Sequence, residues 1–406
     1  MSRSTLPTNL LLTQPTVVKT FDTLADWSLT RFTSSLTTGV TWNGITGINF
    51  TKVSDANLTS RATCTIAEDF SNVGVMSVVC HIPDKTNISS ISLTISSTTD
   101  FSKTYTKTFA SAWLRNGINH LRVGMQYDTW SNVSGESFLN SFIRMRVEVT
   151  YGSNVTDAVT FFRIDKNAKG IPKMIFTFDD AKTGVINLAY PLFETKGIKG
   201  VTWVTKNFSE ARDEGMAGYD VRMSTAELTT LYNAGWDVSN HTTTHPDDVT
   251  GLTYDEVFAE YNTCTQWLKS LGFARSAKFL CYPSGSYNDN ALLAARNAGI
   301  VAGRTIDVGH INMPAEDIML LRTVSIGPTT TFVNLRDYID RAHNLGATII
   351  FMLHDVVDSR SPGLNQTDVQ LIESVINYIQ SRRIDIVTIS EWYDQLTNPR
   401  MQVSRS

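Results

Sequence analysis

Cysteine is scarce: Cys64, Cys80, Cys264 and Cys281 are the four in a chain of 406 residues. No two form a CxxC pair, which excludes a zinc ribbon or a thioredoxin-like centre. Cys64 and Cys80 could be bridged, and two unlinked buried thiols are the favoured reading. Long apolar runs are missing as well. The stretch 349–353 is among the longest, far short of the ~20 residues that span a bilayer. An excess of either charge is also absent, since 35 Lys+Arg stand against 39 Asp+Glu, a net −4. A near-neutral chain is not one held to nucleic acid by phosphate neutralisation. The opening residues MSRSTLPTNLLLTQP lack the continuous 7–15-residue apolar stretch of a secretory signal. With 42% hydrophobic and 18% charged residues, the chain is neither disordered nor a highly solvated helix. Its length suggests two or three domains.

Two rhythms divide it. Residues 1–165 read as β structure: Leu121, Val123, Met125 and Tyr127 alternate with other residues, as do Ile143, Met145, Val147 and Val149, and Ile91, Leu93 and Ile95. Such period-two patterning sets one face on a core and the other in water. Segments rich in Thr, Ser and Val are separated by turn-forming clusters such as 128–137. An antiparallel β-sandwich, jelly-roll-like, is expected. The polar stretch 166–170 reads as a linker. From 171 to 399 continuous apolar strands, at 174–178, 200–204 and 348–353, alternate with helical segments. Three of the helices open with capping-box patterns, Ser224/Glu227, Thr253/Glu256 and Thr367/Gln370. Such βαβ units imply a (β/α) barrel, complete or distorted.

Five of the seven histidines lie in this second half, and the carboxyl ends of parallel strands are where active sites gather. Four segments stand out. Phe176-Thr177-Phe178-Asp179-Asp180 ends an apolar strand in adjacent carboxylates, which raise each other's pKa unless cations offset them. Both serve one site only if the strand ends there; a polar terminus or helix cap is the alternative. In Asn240-His241-Thr242-Thr243-Thr244-His245-Pro246-Asp247 the β-branched run and the proline disfavour a helix. The segment reads as a loop that can wrap two imidazoles round an ion, or as satisfied or surface histidines. Leu280-Cys281-Tyr282-Pro283-Ser284-Gly285-Ser286-Tyr287-Asn288 holds a sharp loop able to offer backbone N–H groups to a ligand. Ile350-Phe351-Met352-Leu353-His354-Asp355 is a buried strand ending in a histidine, whose Asp355 is expected to cap the next loop.

The order strand–DD, HxxxH, YPxGxYN, strand–LHD resembles the NodB-homology polysaccharide deacetylases, carbohydrate esterase family 4. The resemblance covers 171 to about 396 and not the first 165 residues. It implies that Asp180, His241 and His245 bind a divalent metal, Zn2+ first, with Co2+, Ni2+ or Mn2+ as alternatives. It implies that Asp179 is the base acting on the metal-held water, that His354 is the acid for the leaving group, and that the Ser284 backbone N–H meets the oxyanion. Tyr282 and Pro283, with Leu353 or Met352 against the acetyl methyl, would line the pocket. Many members carry an arginine where Cys281 stands, and Arg304 is expected to supply that charge near Asp179; a surface ion pair is the alternative. Two histidines and a carboxylate also suit non-haem iron oxygenases, but those sit on β-sandwiches and this triad lies in the α/β half.

The implied partner is an acetylated polysaccharide of capsule or cell surface, hydrolysed at an N- or O-acetyl bond, with no nucleic acid and no membrane span. For the first half a glycan-binding or assembly role is expected, within a homo-oligomer or, by analogy, a virion tail. Trp27, Trp42, Trp113 and Trp130 there either stack on sugar rings or, the favoured reading, fill the core. A glycan-binding or structural protein with a degenerate hydrolase domain is the competing function.

Overall fold

The structure is a computed structural model that describes residues 16–42, 44–70, 73–125, 130–133, 141–166, 170–310, 318–361 and 364–397. The opening segment, Tyr127 and most of the 128–137 turn cluster, and residues 167–169 of the linker lie outside the described residues. The chain divides into two compact units, Met1–Gly170 with Asn312–Glu316 and Asn344–Gly346, and Ile171–Ile311 with Asp317–His343 and Ala347–Ser406. No helix among the described residues is long and apolar enough to cross a membrane.

The first unit is two six-stranded antiparallel sheets. One holds Phe32–Trp42, Ile45–Lys52, Ala158–Lys166, Val75–Ile82 and Gly117–Gly124, with Thr16–Thr20 beside Ala158–Lys166. The other runs Ser131–Val133, Thr104–Ala110, Ile88–Ser96, Ser141–Tyr151, Thr59–Asp69 and Ser28–Thr30. Phe50, Val78, Leu121 and Phe161 of the first sheet share one buried cluster with Cys64, Ile91, Leu93, Met145 and Val147 of the second, which makes the pair a sandwich. A register shift between Phe142 and Arg144 leaves Ile143 half-buried, while Phe142 joins Met145, Val147 and Val149 on the inner face. Trp27 is buried and stacks on Phe21 at 4.1 Å. Trp42 packs against His120 and beneath Arg163, and Trp130 donates to the Gly124 carbonyl at 3.1 Å. None of the four indoles is among the exposed large hydrophobics.

The second unit is a closed barrel of seven parallel strands in chain order: β1 (Lys173–Phe178), β2 (Val201–Val204), β3 (Asp237–Asn240), β4 (Phe279–Cys281), β5 (Ala302–Val308), β6 (Leu321–Ser325) and β7 (Thr348–Leu353). β7 pairs with the whole of β1. On the other side of β1 the short strand Asp385–Ile386 lies beside Lys173 and Met174, so only Thr177 and Phe178 reach β2. This is the distortion of the ring. Asp237, fully buried at the start of β3, accepts from Ser390 N (2.7 Å), Ser390 Oγ (2.9 Å) and Arg275 Nε (3.0 Å).

Two capping boxes form as the sequence indicates, Ser224 with Glu227 and Thr253 with Glu256. The third does not. Thr367 lies in the strand Gln366–Asp368 and donates its hydroxyl to the Ile326 carbonyl at 2.9 Å, so the helix Val369–Ser381 starts after Asp368 instead. The side-chain alternation of β1 places Phe176 and Phe178 against Phe193 of the helix Tyr190–Lys196. Thr177 and Asp179 therefore face the other way, toward the barrel axis.

All four cysteines are free and buried, and burial pushes the Cys64 and Cys264 thiols up to about 12. A thiol is reactive as its thiolate. Ellman's reagent at pH 8 should therefore find almost no reactive thiol in the native protein and four after unfolding in guanidinium chloride.

Candidate active site

β1 ends at Phe178, and the chain then turns through two left-handed residues, Asp180 (φ 70°) and Ala181 (φ 50°). That turn lets adjacent carboxylates point into one region where a continuing strand would separate them. Asp179 is buried and its Oδ1 takes a charged hydrogen bond from Arg304 Nη2. Its Oδ2 lies 4.0 Å from His354 Nε2, at the end of β7. Asp180 faces elsewhere: Oδ1 is 3.7 Å from the Nε2 atoms of both His241 and His245, and Oδ2 is 3.2 Å from Arg222 Nη1.

The histidine loop is built by partners distant in sequence. Asn240 Oδ1 accepts from Thr242 N at 2.7 Å, and the Asn240 amide is anchored on the Tyr261 carbonyl and the Thr265 hydroxyl. Glu260 accepts from Thr243 N and Thr244 N, both at 2.9 Å, so the loop wraps the helix Tyr254–Ser270. Thr242 Oγ1 accepts from His245 N at 3.0 Å, and both residues are left-handed, at φ 71° and 60°. The two imidazoles stand 4.7 Å apart at 84°. His241 Nδ1 is 3.0 Å from the Cys281 carbonyl oxygen. A carbonyl only accepts, so Nδ1 carries the proton and Nε2 turns its lone pair toward Asp180.

The donor set fits a divalent ion. Single ligand atoms of Asp180, His241 and His245 lie within 4.8 Å of one another. Burial drives His241 down to about 4, so it is neutral near pH 7 and free to donate electrons. Burial pushes the Asp180 carboxyl up, but His241, Arg222 and His245 outweigh it and hold it below its ordinary value. A second set, Asp179, His241 and Cys281, is as compact. It suits a cation poorly, because Arg304 already sits against Asp179 and the Cys281 sulfur, and burial keeps that thiol protonated.

Arg304 lies in register beside Cys281, fully buried, with its guanidinium 5.8 Å from the Trp203 ring. Burial disfavours its charge, and Asp179 more than offsets this, leaving its pKa raised. Ser284 is exposed and left-handed (φ 51°). Gly285 after it has φ 69°, and a Cβ there would stand 2.3 Å from Ile306 Cγ1, so the turn requires glycine.

Two pocket expectations need correction. Tyr282 is not turned to the site: its ring is buried with Tyr261, Leu280 and Ala291 beneath the helices, because Cys281 takes the inward position. Leu353 follows Phe351, which packs on Phe176, and so faces the helical layer. Met352, half-buried, has the inward side. Pro283 is buried in the turn. Asp355 accepts from Val356 N at 3.0 Å and also from the Gly184 backbone N–H, so it ties the end of β7 to the segment after β1 as well as serving its own loop. Arg222 and Glu260 carry no signal in the sequence beyond their residue types.

Residues 166–303 match the family model for polysaccharide deacetylase. That stretch includes the DD, HxxxH and YPSG segments and ends one residue before Arg304, so the match supports the resemblance drawn from those motifs. No curated protein matches the chain. Among solved structures, the Streptococcus pyogenes deacetylase PplD in complex with acetate is 23% identical over 41% of this chain and 69% of its own, with a TM-score of 0.37. A family 4 carbohydrate esterase from Streptomyces lividans, also with acetate, is 16% identical over 53% and 91%, at 0.36. BA3943, a family 4 pseudoenzyme from Bacillus anthracis, is 13% identical over 54% and 64%, at 0.37.

The depressed His241 pKa has a stability consequence. The unfolded chain takes up a proton near pH 6.5 that the folded chain refuses until about pH 4. Metal-free protein should therefore lose stability as pH falls through that window. Urea unfolding at stepped pH should show a shallower loss for His241→Gln; an equal slope would remove His241 as its source.

Proposed function

We propose that the barrel removes acetyl groups from an acetylated polysaccharide by hydrolysis, with Asp180, His241 and His245 holding a divalent ion, Zn2+ first. The observation that carries this reading is the shared focus of Asp180 Oδ1 and two imidazole Nε2 atoms beside a separate carboxylate and a separate imidazole. When bound, such an ion supplies Lewis acidity that polarises the acetyl carbonyl and acidifies water.

The protein's own groups do the rest. Asp179 takes the proton of the attacking water as that oxygen bonds to the carbonyl carbon. Arg304 keeps the Asp179 carboxylate oriented. The Ser284 N–H faces the developing oxyanion. His354 gives a proton to the amine or alcohol as the C–N or C–O bond breaks, and acetate leaves. Met352 and Pro283 would flank the acetyl methyl. The antiparallel unit would hold the barrel on its glycan or in a larger assembly.

Acetate release from a panel of N- and O-acetylated glycans tests the reading. It should vanish with a chelator, return with Zn2+ or Co2+, and fall at least 10²-fold in His241→Ala, Asp180→Ala and Asp179→Asn. Tight glycan binding without acetate release from any substrate would instead favour the degenerate-domain reading. For Arg304→Met, kcat should fall roughly 10–100-fold with KM changed less, because the base loses its partner while the substrate contacts remain. An unchanged kcat would reduce Arg304 to a packing role.

A further inference from the structure

No step of that reaction calls on Arg222, yet its guanidinium touches Asp180 twice. Nη1 donates to the Asp180 main-chain carbonyl at 2.8 Å and lies 3.2 Å from Oδ2. The guanidinium carbon stands 4.5 Å from the centre of the Phe208 ring, which in turn lies 6.2 Å from the His245 ring at 24°. The backbone on either side is tied down too. Met223 N donates to the Ala181 carbonyl at 2.7 Å, Thr183 N to the Val221 carbonyl at 3.0 Å, and Lys182 bridges to Arg222. These bonds span the left-handed pair Asp180–Ala181, a conformation that costs an L-residue energy unless its surroundings hold it.

The two oxygens of Asp180 therefore have different neighbours. Oδ1 faces the imidazoles and Oδ2 faces the guanidinium. A carboxylate free on such a turn could rotate and offer a cation both oxygens. A guanidinium stacked on an aromatic ring is a planar, always-charged donor held in one orientation.

We propose that Arg222 is a positioning residue for the metal ligand Asp180: by occupying Oδ2 and the main-chain carbonyl it fixes the left-handed turn and presents Oδ1 alone beside His241 and His245. This rests on the divalent-ion reading given above. Arg222 acts through Asp180, and through Phe208 on His245, without touching the ion. Partners that orient metal ligands in this way contribute about 10–100-fold to metal affinity. A cation acting only by charge would do the reverse, weakening the ion's binding by repulsion.

The test is Co2+ binding to full-length protein freed of metal by chelation, with affinity from competition against a chromophoric chelator and coordination from the visible absorption spectrum. Arg222→Met keeps the stem over Phe208 and removes the donors. It should bind Co2+ about 10–100-fold more weakly with an altered spectrum, while metal-free thermal unfolding stays near that of the wild type. Arg222→Lys, which keeps charge without the plane, should lie between the two. Equal or tighter binding by Arg222→Met, with an unchanged spectrum, would overturn the proposal and leave the ion reading intact. If Arg222→Met does not fold, wild-type affinity in Arg222→Lys overturns it. A wild type whose Co2+ binding is absent, or insensitive to His241→Ala, would bring down both readings.

Discussion

Two carboxylates on consecutive residues share one small region, and the rest of the site is arranged around keeping them apart. Side by side and unpaired, they would compete for one proton. Each instead has its own set of partners. Asp179 meets Arg304 and His354 on the axial side of the barrel, and Asp180 meets the two imidazoles and Arg222. The left-handed turn at Asp180 and Ala181 performs the separation, since it ends the strand's alternation at the place where both side chains are wanted. Five of the eight non-glycine residues with positive φ among those described are Asp180, Ala181, Thr242, His245 and Ser284. Backbone strain is thus gathered where the chemistry-bearing groups converge.

The chemical residues were legible because they are grouped in short runs at strand ends. A strand followed by two aspartates, or a loop with two histidines, shows in a window of ten residues, and the β-to-βαβ change of rhythm shows over a hundred. What could not be read is what crosses the fold. Arg222 meets Asp180 from 42 positions away, and Glu260 braces a loop 16 and 17 residues before it. Nothing in the local pattern marks either as different from a solvated charge. Facing was also missed at Tyr282 and Leu353, since a buried strand that is apolar on both sides carries no alternation to tell inward from outward. The same limit explains the third capping box. Thr367 has the right spacing to Gln370, but its hydroxyl goes to the Ile326 carbonyl just past β6, and the residue lies in a strand instead.

Cys281 and Arg304 show how a barrel can bring a cation to a buried carboxylate. A buried thiol carries no charge, and the neighbouring strand supplies the guanidinium from the position paired with it in register. Because adjacent strands of a barrel present such positions to the same interior layer, a cation can arrive at one carboxylate from either strand. The carboxylate needs the charge; the strand that bears it is secondary.

The split neighbourhood of β1 bears on how the ring is made. Its upper two residues pair with β2, its lower two with Asp385–Ile386, and Ser390 fastens the buried Asp237 of β3. Chain emerging from a ribosome would thus lack a sealed floor until the residues around 385–390 were available, however early the aspartates and histidines had been synthesised. The residues that converge at the carboxyl ends of the strands thus come earlier in the chain, and the strap at the barrel's foot comes last.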